Sequence, residues 1–523
     1  MFMADLNPQT AQRSRPENVS SPIGGLNRRD ALASMPPQDA YILENILPGT
    51  TSCALRNGCT MWQDGLGPPV TSLTAYRAGA SEFLFGLVAT TLYDMSIPDV
   101  ATPSKTDIIG DDIQSTMFSN AADNAQWLIC TTGHDEPFAF NGAAWSDLVI
   151  TDASGFPGSS AFLNYVCPYK GRLYWCYKDL CGFYYLPPGA IQGAAEYFDL
   201  GQIAHKGGAV VAIATFSEDA GDGPNQYIVF MTNKGEYIMY AGDDPGDAAS
   251  WELIGRYTAA MPIGRHAVCD YAGDLLIMTQ NGILQLSSIR KLADTRSELT
   301  ALSSKLGDVF EKHVQYETMY GWNIILYPKG GILQATIPEG FAPSAGFTNY
   351  VMNTTTNAWT TVLSHEWDGI CWTMFKGQLY FGRVDGTVRR AYDGDSDAGK
   401  AIMIRACQAY NYFGSSQNKQ FKWVECLIAC EVYPPLTGNI NVNFNQQPVG
   451  IIEPVALTDL GATWDISYWD TDFWAVEKVP MPFMVTNQNF GFVGSLCLYG
   501  SFKGMTFEWY SSKWVFEVAE GLL

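Results

Sequence analysis

Positive charge is what this sequence has least of. Its 523 residues carry 31 Lys+Arg against 53 Asp+Glu, a formal net charge of −22, and only 16% of them are charged at all. A protein that grips nucleic acid through its phosphates needs a basic stripe, so this balance excludes a nucleic-acid clamp. It is compatible with a wall past which nucleic acid slides without sticking. Long hydrophobic runs are also missing. The longest, around Gly207 to Phe216, is about half the length a membrane helix needs, so no membrane-spanning segment is expected. Residues 1–29 are polar and show no apolar stretch of a Sec signal peptide. The five histidines are scattered and no C-x-x-C occurs, which removes the usual zinc arrangements. The twelve cysteines, among them Cys53, Cys59, Cys167, Cys176 and Cys181, are irregularly spaced. They read as small buried thiols of a chain made in a reducing cytosol, with Cys426 and Cys430 sharing one strand face.

Catalytic signatures are equally scarce. Gly399-Lys400 is followed by Ala401 rather than the Ser or Thr of a phosphate-binding loop. His365-Glu366 starts like a zinc-protease helix, but no second histidine follows, and no G-x-S-x-G elbow is present. The alternating carboxylates Asp393, Asp395 and Asp397 form a weak calcium-like loop, in which hard oxygen ligands would converge on one cation. Its sixth position is Ala398 and its twelfth Ile404, so an acidic surface turn is the preferred reading. No catalytic residue, resident metal or cofactor is assigned.

What the sequence does have is turn formers and aromatics: 50 Gly, 27 Pro, 27 Tyr, 27 Phe and 15 Trp. Together they describe many short strands joined by tight turns, hence an all-β chain. A hairpin pattern recurs, in which an apolar strand runs through a glycine-bearing turn into a second apolar strand. It starts near Phe83, Trp127, Leu173, Tyr227, Leu275, Ile324 and Leu379. The mean step is about 49 residues, the length of a four-stranded propeller blade. Trp145, Trp251 and Trp359 each follow a hairpin at about twice that spacing. The expected fold is a β-propeller, six blades with seven as the alternative, over residues 61–397; an array of β-sandwiches is the competing reading. Leu292, Leu299, Leu302, Leu306, Val309 and Phe310 fall on one helix face, which predicts a helical insertion near 290–315. Residues 1–60 are expected to form an N-terminal arm and platform segment, with 1–20 a disordered arm. Residues 398–523, whose strands alternate well in Phe507 to Val518, are expected to form an antiparallel β domain.

The most specific stretch lies near the start. It reads Ser21-Pro-Ile-Gly24-Gly25-Leu26-Asn27-Arg28-Arg29-Asp30, then Met35-Pro36-Pro37-Gln-Asp39-Ala40, then Asn45-Ile-Leu-Pro48, then Arg56-Asn-Gly58. Glycine and proline pairs fix turns on either side of the charged residues, and Asp39 to Asn45 suggests one helical turn capped by Asp39. Such a segment has no core of its own and must be ordered by packing elsewhere. This opening resembles the tail nozzle family of short-tailed bacteriophages, also called tail tubular protein B or tail hub, and Phe507 to Leu523 resembles the family's last strand. The resemblance implies a structural virion protein with a propeller body and a platform formed by the N- and C-terminal segments. It further implies a homohexameric ring in the virion tail, made in the host cytoplasm, below the portal and its adaptor (the head-to-tail connector). The ring would anchor tail fibres or tailspikes and pass viral DNA through its lumen without specific binding. Alternatives are a packaged-DNA-stabilising plug, a glycan-binding propeller for host recognition and, least favoured, a glycan-cleaving enzyme.

Overall fold

Residues 14–152, 155–219, 224–291, 301–317, 321–446 and 478–518 are described by the computed structural model. The chain divides into two compact units. One comprises residues 58–352 and 363–394; the other comprises 1–57, 353–362 and 395–523. These limits lie a few residues from 60 and 397, and residues 353–362 belong to the second unit rather than to the propeller body.

The first unit is the β-propeller. Every hairpin expected from the 49-residue pattern is an antiparallel pair, from Ser81–Val88 with Thr91–Ile97 to Gln378–Arg383 with Val388–Ala391. Six sheets lie wholly within this unit and give the six-bladed arrangement. Four-stranded blades span 70–105, 114–147 and 210–258. The 163–199 blade gains a fifth strand, Ile150–Asp152, and the 268–285 blade has three among the described residues. The last blade takes Gly369–Phe375, Gln378–Arg383 and Val388–Ala391 and is completed by Cys59–Gln63 from the other end of the chain. First strands pack side by side from the 70–105 blade through the 210–258 blade, and Gly369–Phe375 packs back on Val70–Ala78 to close the ring. The meander Asn323–Tyr327, Ile332–Pro338, Phe347–Asn353 takes a further place between the 268–285 and 369–391 blades. Trp145 opens the outermost strand of its blade and Trp251 directly precedes one, which accounts for their two-repeat spacing.

Blades are glued by aromatics. Phe85, Phe138, Phe140 and Trp145 interlock between the first two blades, and Phe183 stacks on Phe230 at 4.2 Å between the third and fourth. Such pairs add to the area they bury, which explains how 13% aromatic content serves the ring. Among the described residues the predicted helical insertion comprises Leu286–Lys291, Val309–His313 and two 3-10 turns at Ser304–Leu306 and Val314–Tyr316. Leu306, Val309 and Phe310 are buried as the helix face required, while Leu292, Arg296 and Leu299 lie outside the described residues.

The second unit holds two groups of strands. One runs Val479–Val485, Lys419–Cys430, Phe507–Val518, Cys53–Leu55, Ile46–Pro48, with Arg15–Ser20 added along Phe507–Val518. Residues 15–20 are therefore a strand, not a disordered arm; the register Arg15 with Phe516 through Ser20 with Ser511 satisfies their backbone. The other runs Trp359–Val362, Asp39–Glu44, Ile402–Gln408, Gly494–Phe502, Leu436–Val442. Asp39–Glu44 is thus a strand rather than the expected helical turn. Its backbone is claimed by Gly25–Leu26 in parallel on one side and by Ile402–Gln408 on the other, and pairing overrides local propensity. Among the described residues no helix is long and apolar enough to cross a membrane.

Candidate functional site

The N-terminal motif converges on two polar knots inside the second unit. In the first, Asn27 is fully buried; its side-chain amide donates to Asp39 at 2.8 Å and to Asp30 at 2.9 Å. Its oxygen accepts the backbone N–H groups of Arg29 and Asp30. Arg29 pairs with Asp30 at 2.8 Å, and that carboxylate raises the guanidinium's pKa. Leu26 and Ala40 are buried beneath, and Asn27 N–H donates to the Ala40 carbonyl. The turn that makes this possible admits no side chain at two points. A Cβ on Gly24 would lie 2.0 Å from Asp39 Oδ1, and one on Gly25, at φ +81°, would lie 2.7 Å from the Trp359 backbone. Pro36 closes the second turn by accepting from Asp39 N–H, just after Pro37.

The second knot is a buried ion pair. Arg56 donates through both terminal nitrogens to the two carboxylate oxygens of Asp397, at 2.8 and 2.7 Å, with neither side chain exposed. Its Nε donates to Asn45 Oδ1 at 2.8 Å, and Asn45 Nδ2 donates to the Met403 carbonyl. Asn45 has φ +61°, a conformation that asparagine tolerates better than most residues. Each guanidinium nitrogen therefore has an acceptor, as a buried charge requires. Pro48 accepts from the Asn353 side chain, and Gly58 in the propeller unit bonds Gly394 and Asp393 through its backbone.

This overturns the weak calcium-like reading of the acidic turn for its last member. Asp397 faces Arg56, not a shared centre, and Asp393 binds Thr60 at 2.7 Å and Arg390. Asp395 contributes its backbone carbonyl to Gly504 N–H. Among the described residues no three His, Cys, Asp or Glu side chains are grouped to hold a metal ion.

Sequence reasoning missed three other features. Arg265 reaches from the segment before the 268–285 blade to carbonyls of Asp112, Thr131, Thr132 and Asn164, pinning the second and third blades. Beside it, His266 bonds Asp112 at 2.7 Å. Burial would raise the Asp112 pKa, but His266 and Arg265 together hold it below the usual carboxylate value. An isolated arginine in a loop carries no periodic signal, so only the closed ring reveals it. The second feature is a polar cleft of about 500 Å³ between the first two blades, lined by Lys105, Asp107, Asp135, Glu136, Trp145 and Asp147 among others. Lys105 there pairs with Asp147 at 2.7 Å over the Phe138 ring, and Trp145 Nε1 donates to Ser104. The third concerns the thiols. Most are inert and buried as expected; burial pushes Cys53, Cys167 and Cys426 up to about 12. Cys407 and Cys497 depart from that expectation, because they are joined as a disulfide. Their spacing of 90 residues hides the pairing, which only strand register creates.

No family model and no curated protein matches this sequence. Among solved structures, the chain is similar to BBS1N in complex with ARL6DN (TM-score 0.38, 10% identity, covering 64% of this chain and 97% of that one). It is similar to Chaetomium thermophilum Raptor (0.37, 10%, 67% of this chain and 30% of that one). It is likewise similar to YCF48 bound to D1 peptide (0.36, 13%, 68% and 98%). At these values the propeller rests on the strand order itself.

Proposed function

We propose that this chain is the tail nozzle of a short-tailed bacteriophage, a structural virion protein that catalyses no reaction. Six copies form a ring around the channel through which viral DNA leaves. The ring sits below the portal, attached to the adaptor, and anchors tail fibres or tailspikes. The observation that supports this most is the fate of the motif. Gly24, Gly25, Leu26, Asn27, Asp39, Ala40, Asn45 and Arg56, which carry the resemblance, all serve one compact purpose. They splice the N-terminal segment into the unit that holds the C-terminal strands. A motif selected for a platform fold behaves this way; a ligand-binding motif would leave polar atoms directed at solvent.

The charge balance fits a passage for DNA. A chain of net charge −22 repels phosphates on average, so DNA is not trapped by condensation on the wall. DNA retention by the purified chain tests this part. The reading expects no retention at physiological salt, and tight, salt-sensitive binding contradicts it.

A second reading, glycan recognition, is favoured by one observation, the cleft beside Trp145 with its carboxylates, hydroxyls and one ammonium. Aromatic rings with convergent polar groups suit saccharides. A glycan array with the whole chain and its Trp145→Ala variant separates the readings: Trp145-dependent binding supports recognition, and no binding leaves the mechanical role alone.

A further inference from the structure

We propose that Cys407 and Cys497 form a redox-operated lock on the strand group that carries the N-terminal motif, open when the chain is made under reducing conditions and closed by a disulfide oxidant. The inference does not depend on the tail reading. Cys407 and Cys497 are directly opposed on the antiparallel strands Ile402–Gln408 and Gly494–Phe502, with Cα atoms 4.1 Å apart, so strand register alone brings the two sulfurs together. Both are almost wholly buried in the paired sheet, so an oxidant meets them as the two strands open or first pair. Polar side chains surround the two sulfurs. Tyr41 OH and Asn441 Nδ2 each lie 3.2 Å from Cys497 Sγ, and Tyr499 OH lies 3.9 Å from Cys407 Sγ.

Placement gives the bond its consequence. Cys407 sits opposite Ile42 of the motif strand, and Tyr41 of the same strand touches Cys497. The bond closes a loop of sequence separation 90 that contains Lys419–Cys430, Leu436–Val442 and Val479–Val485. Closing a loop of that length restricts the unfolded chain strongly. Chemically, one cysteine thiolate attacks a small disulfide such as oxidised glutathione, whose S–S bond breaks and releases one thiol. The second cysteine then displaces the other glutathione thiol from the mixed disulfide. The two cysteines lose two protons and two electrons, and the oxidant leaves as two thiols.

The test uses the full chain purified under dithiothreitol, then divided and treated with or without oxidised glutathione. Both halves are denatured, alkylated and read by mass spectrometry. The expected result is twelve alkylated cysteines without oxidant and ten with it, Cys407 and Cys497 being the missing pair. The oxidised half should also melt higher, by on the order of 10 °C for the transition of that unit. The double variant Cys407→Ala, Cys497→Val guards against a folding artefact: it should melt like the reduced chain and show no oxidant-dependent shift. Twelve alkylated cysteines in both halves, a different cysteine pair, or a shift retained by the double variant overturns the proposal.

Discussion

Arg56 and Asp397 are 341 residues apart in sequence and meet through two charge-assisted hydrogen bonds with both side chains sealed from solvent. A pair this buried gains little net stability over an apolar replacement, because both ions lost their water. Its role is to specify that the N-terminal segment joins the residues after 394 in one register.

The Arg56–Asp397 pair responds asymmetrically to substitution. Arg56→Met leaves Asp397 buried and unpaired, which should cost about 3–5 kcal/mol. Arg56→Met combined with Asp397→Leu should recover most of that loss. Urea unfolding followed through Trp509 and Trp514, both buried in the same unit, measures it.

The Gly24-Gly25 turn predicts a position-specific cost. Gly25→Ala meets the Trp359 backbone and an unfavourable φ, and should cost roughly 2 kcal/mol or more. Gly65 has nearly the same φ, +79°, with nothing within 4 Å of its Cβ position. Gly65→Ala should therefore show the backbone penalty alone, and the difference in unfolding free energy isolates the steric contact.

Ring closure by Cys59–Gln63 is tested at Met61, whose side chain is exposed but whose backbone pairs with Arg389. Met61→Pro should lower the propeller's melting midpoint by several degrees, since proline disrupts a paired strand, and Met61→Ala should leave it almost unchanged. Equal effects of the two variants would remove the closing role.

The Asp112 carboxylate predicts an acid limb. Its folded pKa lies below the unfolded value of about 3.9, so its contribution is complete above that pH and fades as pH falls through the folded value. Melting midpoints between pH 2 and 6 should drop in that window for the native chain. In Asp112→Asn this part of the drop should be missing.

The propeller was legible because its signals are local. Hairpins such as Leu275 to Ile283 announce themselves through apolar runs and a glycine turn, and they repeat. The motif was legible as a motif but not as a structure. Asp39–Glu44 resembles a capped turn until strands from residues 25 and 402 claim its backbone. Asp397 looked like a member of a surface turn because its partner lies 341 residues away. Arg265, the cleft beside Trp145 and the Cys407–Cys497 bond share that cause: each is made by closure or register between distant segments, which periodicity does not encode.

The copy number of the assembled protein tests the central claim most directly. Electron microscopy of the purified full chain and of the particle that contains it should show six copies in a closed ring around an axial channel at the tail. A protein that remains monomeric and is missing from the tail contradicts the account.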